Sequence, residues 1–162
     1  MTQYKCSDFD INTLDDELRV DSLCRDLLMA FYHDRLEAGL DEQEATLLAN
    51  SADYFIRDYV IGFRQINILA ETSGLVRGFA GNWYIVNTLE PTAEEIAAHL
   101  RGIREFYHFL RRQGAIDDCF LATIDRECSD QEYYAGRIES FWDIKGDGYY
   151  EWESECSLRQ KR

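Results

Sequence analysis

Residues 91–114, PTAEEIAAHLRGIREFYHFLRRQG, contain every signal of one amphipathic helix. Pro91 is followed by Thr92, and Glu95 stands three residues later, the spacing of a capping box that satisfies the free N–H groups of a helix start. Ile96, Leu100, Ile103, Tyr107 and Leu110 then recur at three-four spacing, and Gly114 marks the stop. A helix with one apolar stripe needs partners to bury it, so the remaining chain must supply further helices or a sheet.

It supplies helices. Upstream, Asp41 with Glu44 repeats the box, and Leu48, Ala52, Phe55, Tyr59 and Phe63 lay an apolar stripe along a second long helix. Before it, Leu14 and Leu18, then Val20, Cys24, Leu27 and Phe31, predict a helix that ends near Gly39. Between the two strong segments, Thr72 or Ser73 is placed to cap a helix carrying Val76, Phe79, Trp83 and Val86. Gly74, Gly78 and Gly81 fall on its other face and point to close backbone approach or a broken helix. Downstream, Ser129 with Glu132 opens a shorter helix bearing Tyr133, Ile138, Phe141 and Trp142, which stops at the Gly146-Asp147-Gly148 turn. Beyond it, Tyr150 and Trp152 alternate with Glu151 and Glu153, the pattern of an extended segment. The expected fold is all-α, a single-domain bundle of about five helices with a short extended C-terminal segment. The expected division is a flexible lead-in at 1–11, a helical domain at 12–144 and an extended acidic, aromatic tail at 145–162.

Length and composition agree with one domain. The 162 residues are 46% hydrophobic, enough for an ordinary core without disulfides or metals. No apolar run is long enough for a membrane span and no secretion signal is visible, so the expected location is cytoplasmic. Five cysteines (Cys6, Cys24, Cys119, Cys128 and Cys156) lack metal-knuckle spacing and are expected to be reduced, with Cys24 in the core and Cys6 and Cys156 in the tails. The net charge of −14 is uneven: residues 1–44 carry −8, residues 45–116 are neutral, residues 117–155 carry −9 and the last seven carry +3. Such a surface repels nucleic acid and anionic membranes at long range.

The side chains with chemistry form no complete site. Glu105 and His108 have the Glu-x-x-His spacing of di-iron bundles, yet no second copy exists, and His33 stands apart. His99 and His108 would lie on opposite faces of their helix, about 13.5 Å apart along it. Asp143, Asp147 and Gly148 imitate part of a calcium loop, but Lys145 and Ser154 occupy positions where ligands belong. No nucleophile elbow or phosphate-binding glycine loop is present. No catalytic residue, cofactor or metal ligand is therefore assigned, and a non-enzymatic protein-interaction module is the expectation. Its partner, a second copy of the chain included, is expected to meet Trp142, Tyr149, Tyr150 and Trp152, aromatic residues set among acids.

Residues 72–116 also resemble part of the helical core-binding (SAM-like) domain of tyrosine recombinases. The likeness runs from Thr92 to Ile116 through Leu100, Ile103, Arg104, Phe106, Tyr107, Phe109 and Leu110. It covers about a quarter of the chain, and the recombinase catalytic domain has no counterpart here, so strand exchange is excluded. The resemblance implies contact with a nucleic-acid backbone through Arg101, Arg104, Arg111 and Arg112, with His108 on the same ridge. The competing expectation is that this ridge makes ion pairs with acidic helices of the same chain. A metal-dependent enzyme in the helical core is the third alternative.

Overall fold

The computed structural model describes residues 4–70 and 73–155, and among them there is no strand. Thr72 and Cys156 lie outside the described residues. A short 3-10 turn, Cys6–Phe9, leads into α1 (Leu14–Glu37) and α2 (Glu42–Asp53), which continues without a break into a π-helical segment, Tyr54–Arg64. The next helical run is α3 (Leu75–Gly78), a second π-helical segment, Phe79–Trp83, and α4 (Tyr84–Asn87). Then follow α5 (Ala93–Arg112), α6 (Asp118–Cys128), α7 (Gln131–Trp142) and α8 (Tyr149–Ser154). The all-α expectation holds.

Local chemistry explains the boundaries. The Thr13 hydroxyl accepts from the Asp16 N–H at 3.1 Å while Asp16 accepts from the Thr13 N–H at 3.2 Å, a reciprocal cap for α1. Gly39 and Gly114 both adopt left-handed φ, at 101° and 77°, and end α1 and α5 in the same way. The Leu40 N–H donates to the Arg35 carbonyl and the Ala115 N–H to the Leu110 carbonyl, the long bond of a Schellman motif. At the start of α5, Thr92 caps the Glu95 N–H at 3.1 Å, but Glu95 does not reach back to Thr92. The Tyr84 hydroxyl stands between them, accepting from the Thr92 N–H at 3.1 Å and donating to Glu95 at 2.6 Å.

α5 is the central element. Its stripe of Ile96, Leu100, Ile103, Phe106, Tyr107 and Leu110 is buried against α1, α2 and α6. The closest approach is at Gly102, where a Cβ would fall 2.5 Å from Ser51 Cβ and 2.8 Å from the Leu48 carbonyl oxygen. Only glycine lets α2 come this near. Tyr107, fully buried, donates its hydroxyl to the Ile68 carbonyl at 2.9 Å and so ties the loop after the first π segment to the core.

Five expectations change. Leu14 and Leu18 are exposed, and α1 buries Val20, Cys24, Leu27, Leu28 and Phe31 instead. The lead-in is docked at its end: Phe9 is buried, and Asn67 Nδ2 donates to the Cys6 carbonyl at 2.7 Å and to Asp10 at 2.8 Å. Ser73 and Ser129 are not the N-caps expected, since Gly74 and Asp130 occupy those positions; Ser129 instead ends α6, its hydroxyl donating to the Asp125 carbonyl at 2.6 Å. α6, unforeseen, is capped by Asp117 and buries Phe120, Ile124 and Cys128. The segment expected to be extended is helical: α8 places Tyr149 and Trp152 three residues apart on one face, and Trp152 is only 3% exposed.

A candidate recognition cleft

The two π-helical segments face one another. A wider turn shifts side chains from their usual register, and Phe55, Tyr59 and Phe63 on the first segment meet Phe79 and Trp83 on the second. The ring centroids of Tyr59 and Trp83 are 5.4 Å apart, those of Tyr59 and Phe79 also 5.4 Å, and those of Phe63 and Trp83 6.2 Å. Phe55 and Phe79 end in the core, whereas Phe63 remains 61% exposed. Beside it opens a cleft of about 380 Å³, floored by Tyr59, Phe63, Trp83 and Val86 and completed by Tyr149 from α8. Arg64, Asn82, Asn87 and Glu153 form its polar rim. Its volume is at the lower end of the range of ligand sites, and it joins an aromatic floor to a few polar groups.

Widened turns free backbone groups that must find other partners. Asn87 Nδ2 donates to the Trp83 carbonyl at 2.8 Å, and Arg137 Nε donates to the Gly81 carbonyl at 2.9 Å. Arg137 also holds α8. Its Nη1 donates to the Trp152 carbonyl at 2.7 Å, its guanidinium lies 3.8 Å from the Trp152 ring centroid, and Trp152 Nε1 donates back to the Arg137 carbonyl at 3.1 Å. One buried arginine thus fixes α7, α8 and the second π segment together. Within the cleft, Arg64 Nη1 donates to the Tyr59 hydroxyl at 3.2 Å.

The four aromatic residues expected to meet a partner separate. Trp152 is buried by its docking on α7, its Nε1 donating to the Ser140 hydroxyl at 3.0 Å. Tyr149 lines the cleft half-buried, and Trp142 and Tyr150 are exposed. Trp142 on α7 and Tyr150 on α8 meet Phe141 and Tyr149 edge-on, at 6.1 and 5.7 Å, while the rings of Phe141 and Trp152 pack 5.0 Å apart.

Along the arginine ridge of α5, most cations face carboxylates. Arg104 Nε and His108 Nε2 lie 3.1 and 2.8 Å from Asp125, Arg111 Nε 2.6 Å from Asp118, and Arg112 2.8 Å from Asp34. Arg101 is exposed with no ion pair among the described residues. Glu105 pairs with Arg35 at 3.1 Å rather than with His108. Among the described residues, no three His, Cys, Asp or Glu side chains gather closely enough to hold an ion.

Two further groups resemble chemistry. His99 Nδ1 and Ser51 Oγ are 3.2 Å apart, a nucleophile and base in appearance, but Ser51 is sealed at the Gly102 approach and neither lines the cleft. Burial pushes the His99 imidazole down from its usual value, against the pull of Glu95. Burial also pushes the Cys24 thiol up to about 12, so it stays protonated and unreactive. Cys6 and Cys119 are exposed.

Tyr59, Phe63 and Trp83 read in sequence as core stripes, and no linear signal pairs them with Arg64, Asn82 or Asn87. The one available hint was glycine: Gly81 lies where a Cβ would come 3.2 Å from Tyr133, inside the second widened turn. No family model matches the chain, and no curated protein or solved structure matches it either.

Proposed function

We propose that this chain is a non-enzymatic, cytoplasmic interaction module whose aromatic cleft takes a basic segment of a protein partner, with one aromatic or large apolar side chain seated on Phe63 and Trp83. Phe63 carries the proposal. A phenylalanine 61% exposed beside a ring-lined hollow leaves apolar area open to water, and covering that area is worth about 25 cal/mol per Å². The rim itself is balanced, Arg64 against Glu153, so the sign of the partner follows from the surroundings. Glu153 lines the cleft, and Asp147, Glu151 and Glu155 are exposed on the same short stretch of chain, within a C-terminal region that carries −9. A lysine- or arginine-bearing segment is steered toward such a field. Trp142 and Tyr150 extend the aromatic surface beyond the cleft.

The test is selection from a random peptide library on the intact chain, followed by titration calorimetry of the enriched peptides. Basic peptides with one aromatic residue should be enriched, and Phe63→Ala and Glu153→Lys should each weaken them about tenfold or more without loss of helical circular dichroism. Enrichment of acidic peptides, or affinities unchanged in both variants, overturns the proposal. The ridge offers a second reading, supported by Arg101, which is exposed and has no ion pair among the described residues. Salt-dependent DNA binding that disappears in an Arg101→Ala, Arg104→Ala double variant would move the function to a nucleic-acid partner.

A further inference from the structure

α1 carries two apolar stripes where a surface helix needs one. Val20, Cys24, Leu27 and Phe31 fill the core, while Leu14, Leu18 and Met29 follow three-four spacing on another side and stay 57–70% exposed. α2 adds Leu47, 61% exposed. Four of the large apolar side chains left open to water therefore sit on one helical hairpin, and none of them lines the cleft. Between the helices runs a groove of about 320 Å³ that includes Leu28, Met29 and Tyr32, and a second hollow of about 370 Å³ adjoins Leu47.

The charges at the two ends of the groove and its adjoining hollow differ. Arg25 lines the groove at the end where Arg57 bonds Asp21 and Asp53, and it is exposed with no ion pair among the described residues. The opposite end, at the turn between the helices, exposes Glu42, which lines the hollow beside Leu47. A surface with knob and hollow side by side, an unpaired cation at one end and an acid at the other is complementary to itself after a two-fold rotation. From Arg25 to Glu42 this strip is about 20 Å long and about 20 Å wide, on the order of 400 Å² per partner, the size of a weak, concentration-dependent contact.

We infer that the exposed α1–α2 face docks a second copy of this chain in a two-fold dimer, with Arg25 of each copy against Glu42 of the other. Leu47 and Met29 seat in the opposing groove. The cleft between the π segments lies outside this contact, so the dimer would present two of them.

The experiment measures mass by light scattering across a micromolar concentration series, using the intact chain at physiological salt. Wild type should reach twice the chain mass. Arg25→Glu and Glu42→Arg should each raise the dissociation constant about tenfold or more, because both place like charges opposite one another twice. Mixed in equal amounts, the two variants should dimerise again, since the mixed dimer restores both opposite-charge pairs. Leu47→Lys should weaken the dimer regardless of charge pairing. A wild type that stays monomeric throughout, a dimer indifferent to these substitutions, or single variants that weaken without recovery on mixing overturns the inference. Circular dichroism of each variant keeps loss of folding apart from loss of contact.

Discussion

The seam between α2 and α5 and the cleft between the two π segments are built from the same residue classes, yet one is sealed and the other open. Along the seam, both helices wind regularly, and Gly102 lets backbone meet backbone beside Ser51. At the cleft, the winding loosens, rings fall out of register, and side chains such as Arg137 and Asn87 must satisfy the displaced carbonyls. Regular geometry closes the scaffold, while irregular geometry leaves the space in which a partner can be recognised. The two regions should therefore fail differently when altered.

The largest effect belongs to the seam. Gly102→Val drives two methyl groups toward Ser51 and Leu48, and should cost about 3 kcal/mol in urea unfolding, the upper range for overpacking. A loss under 1 kcal/mol would show that α2 and α5 separate easily and that the seam is not close-packed. Next comes the clamp behind the cleft. Arg137→Met keeps the volume but removes donors to the Gly81 and Trp152 carbonyls, and should cost about 2 kcal/mol. Trp152 emission should move to longer wavelength as α8 loosens. Unchanged emission would mean that α8 is held by packing alone. Thr92→Ala should cost about 1 kcal/mol, an ordinary capping loss, and stability equal to wild type would assign the helix start to the Tyr84 hydroxyl instead.

The seam was legible in the sequence and the cleft was not. Thr92, Gly114, Asp41 and Gly39 act within a few residues of themselves, so their spacing alone locates the end of α1, the start of α2 and both ends of α5. α8 was misjudged because its six residues cannot separate a period of two from a period of three to four: Tyr150 and Trp152 alternate with glutamates, yet Trp152 is buried by turning with Tyr149. The ridge on α5 was legible as a row of cations, but its neutralising carboxylates, Asp34, Asp118 and Asp125, come from other helices up to 78 residues away. The cleft depends on Arg64, Asn82 and Glu153 converging from three separate segments, a fact that no local pattern encodes.

The smallest effect is the most informative, because His99 stands where the two regions meet. Its ring lies 5.2 Å from Tyr54 and 5.7 Å from Tyr84, with Phe79 at 6.3 Å, and its Nδ1 faces Ser51 in the seam. The aromatic walls lower its pKa by burial, while Glu95, four residues earlier, acts the other way. With the folded value depressed, the fold favours the neutral ring, and the unfolded chain takes up a proton first as pH falls below about 6.5. Stability contributed by neutral His99 is therefore present above that pH and is lost as pH falls toward and through the folded value. His99→Gln removes this titration, so its loss of stability between about pH 7.5 and about pH 5 should be shallower than that of wild type. Parallel pH curves would place the His99 ring in water, and the aromatic cluster behind the cleft would then be hydrated at its junction with the seam.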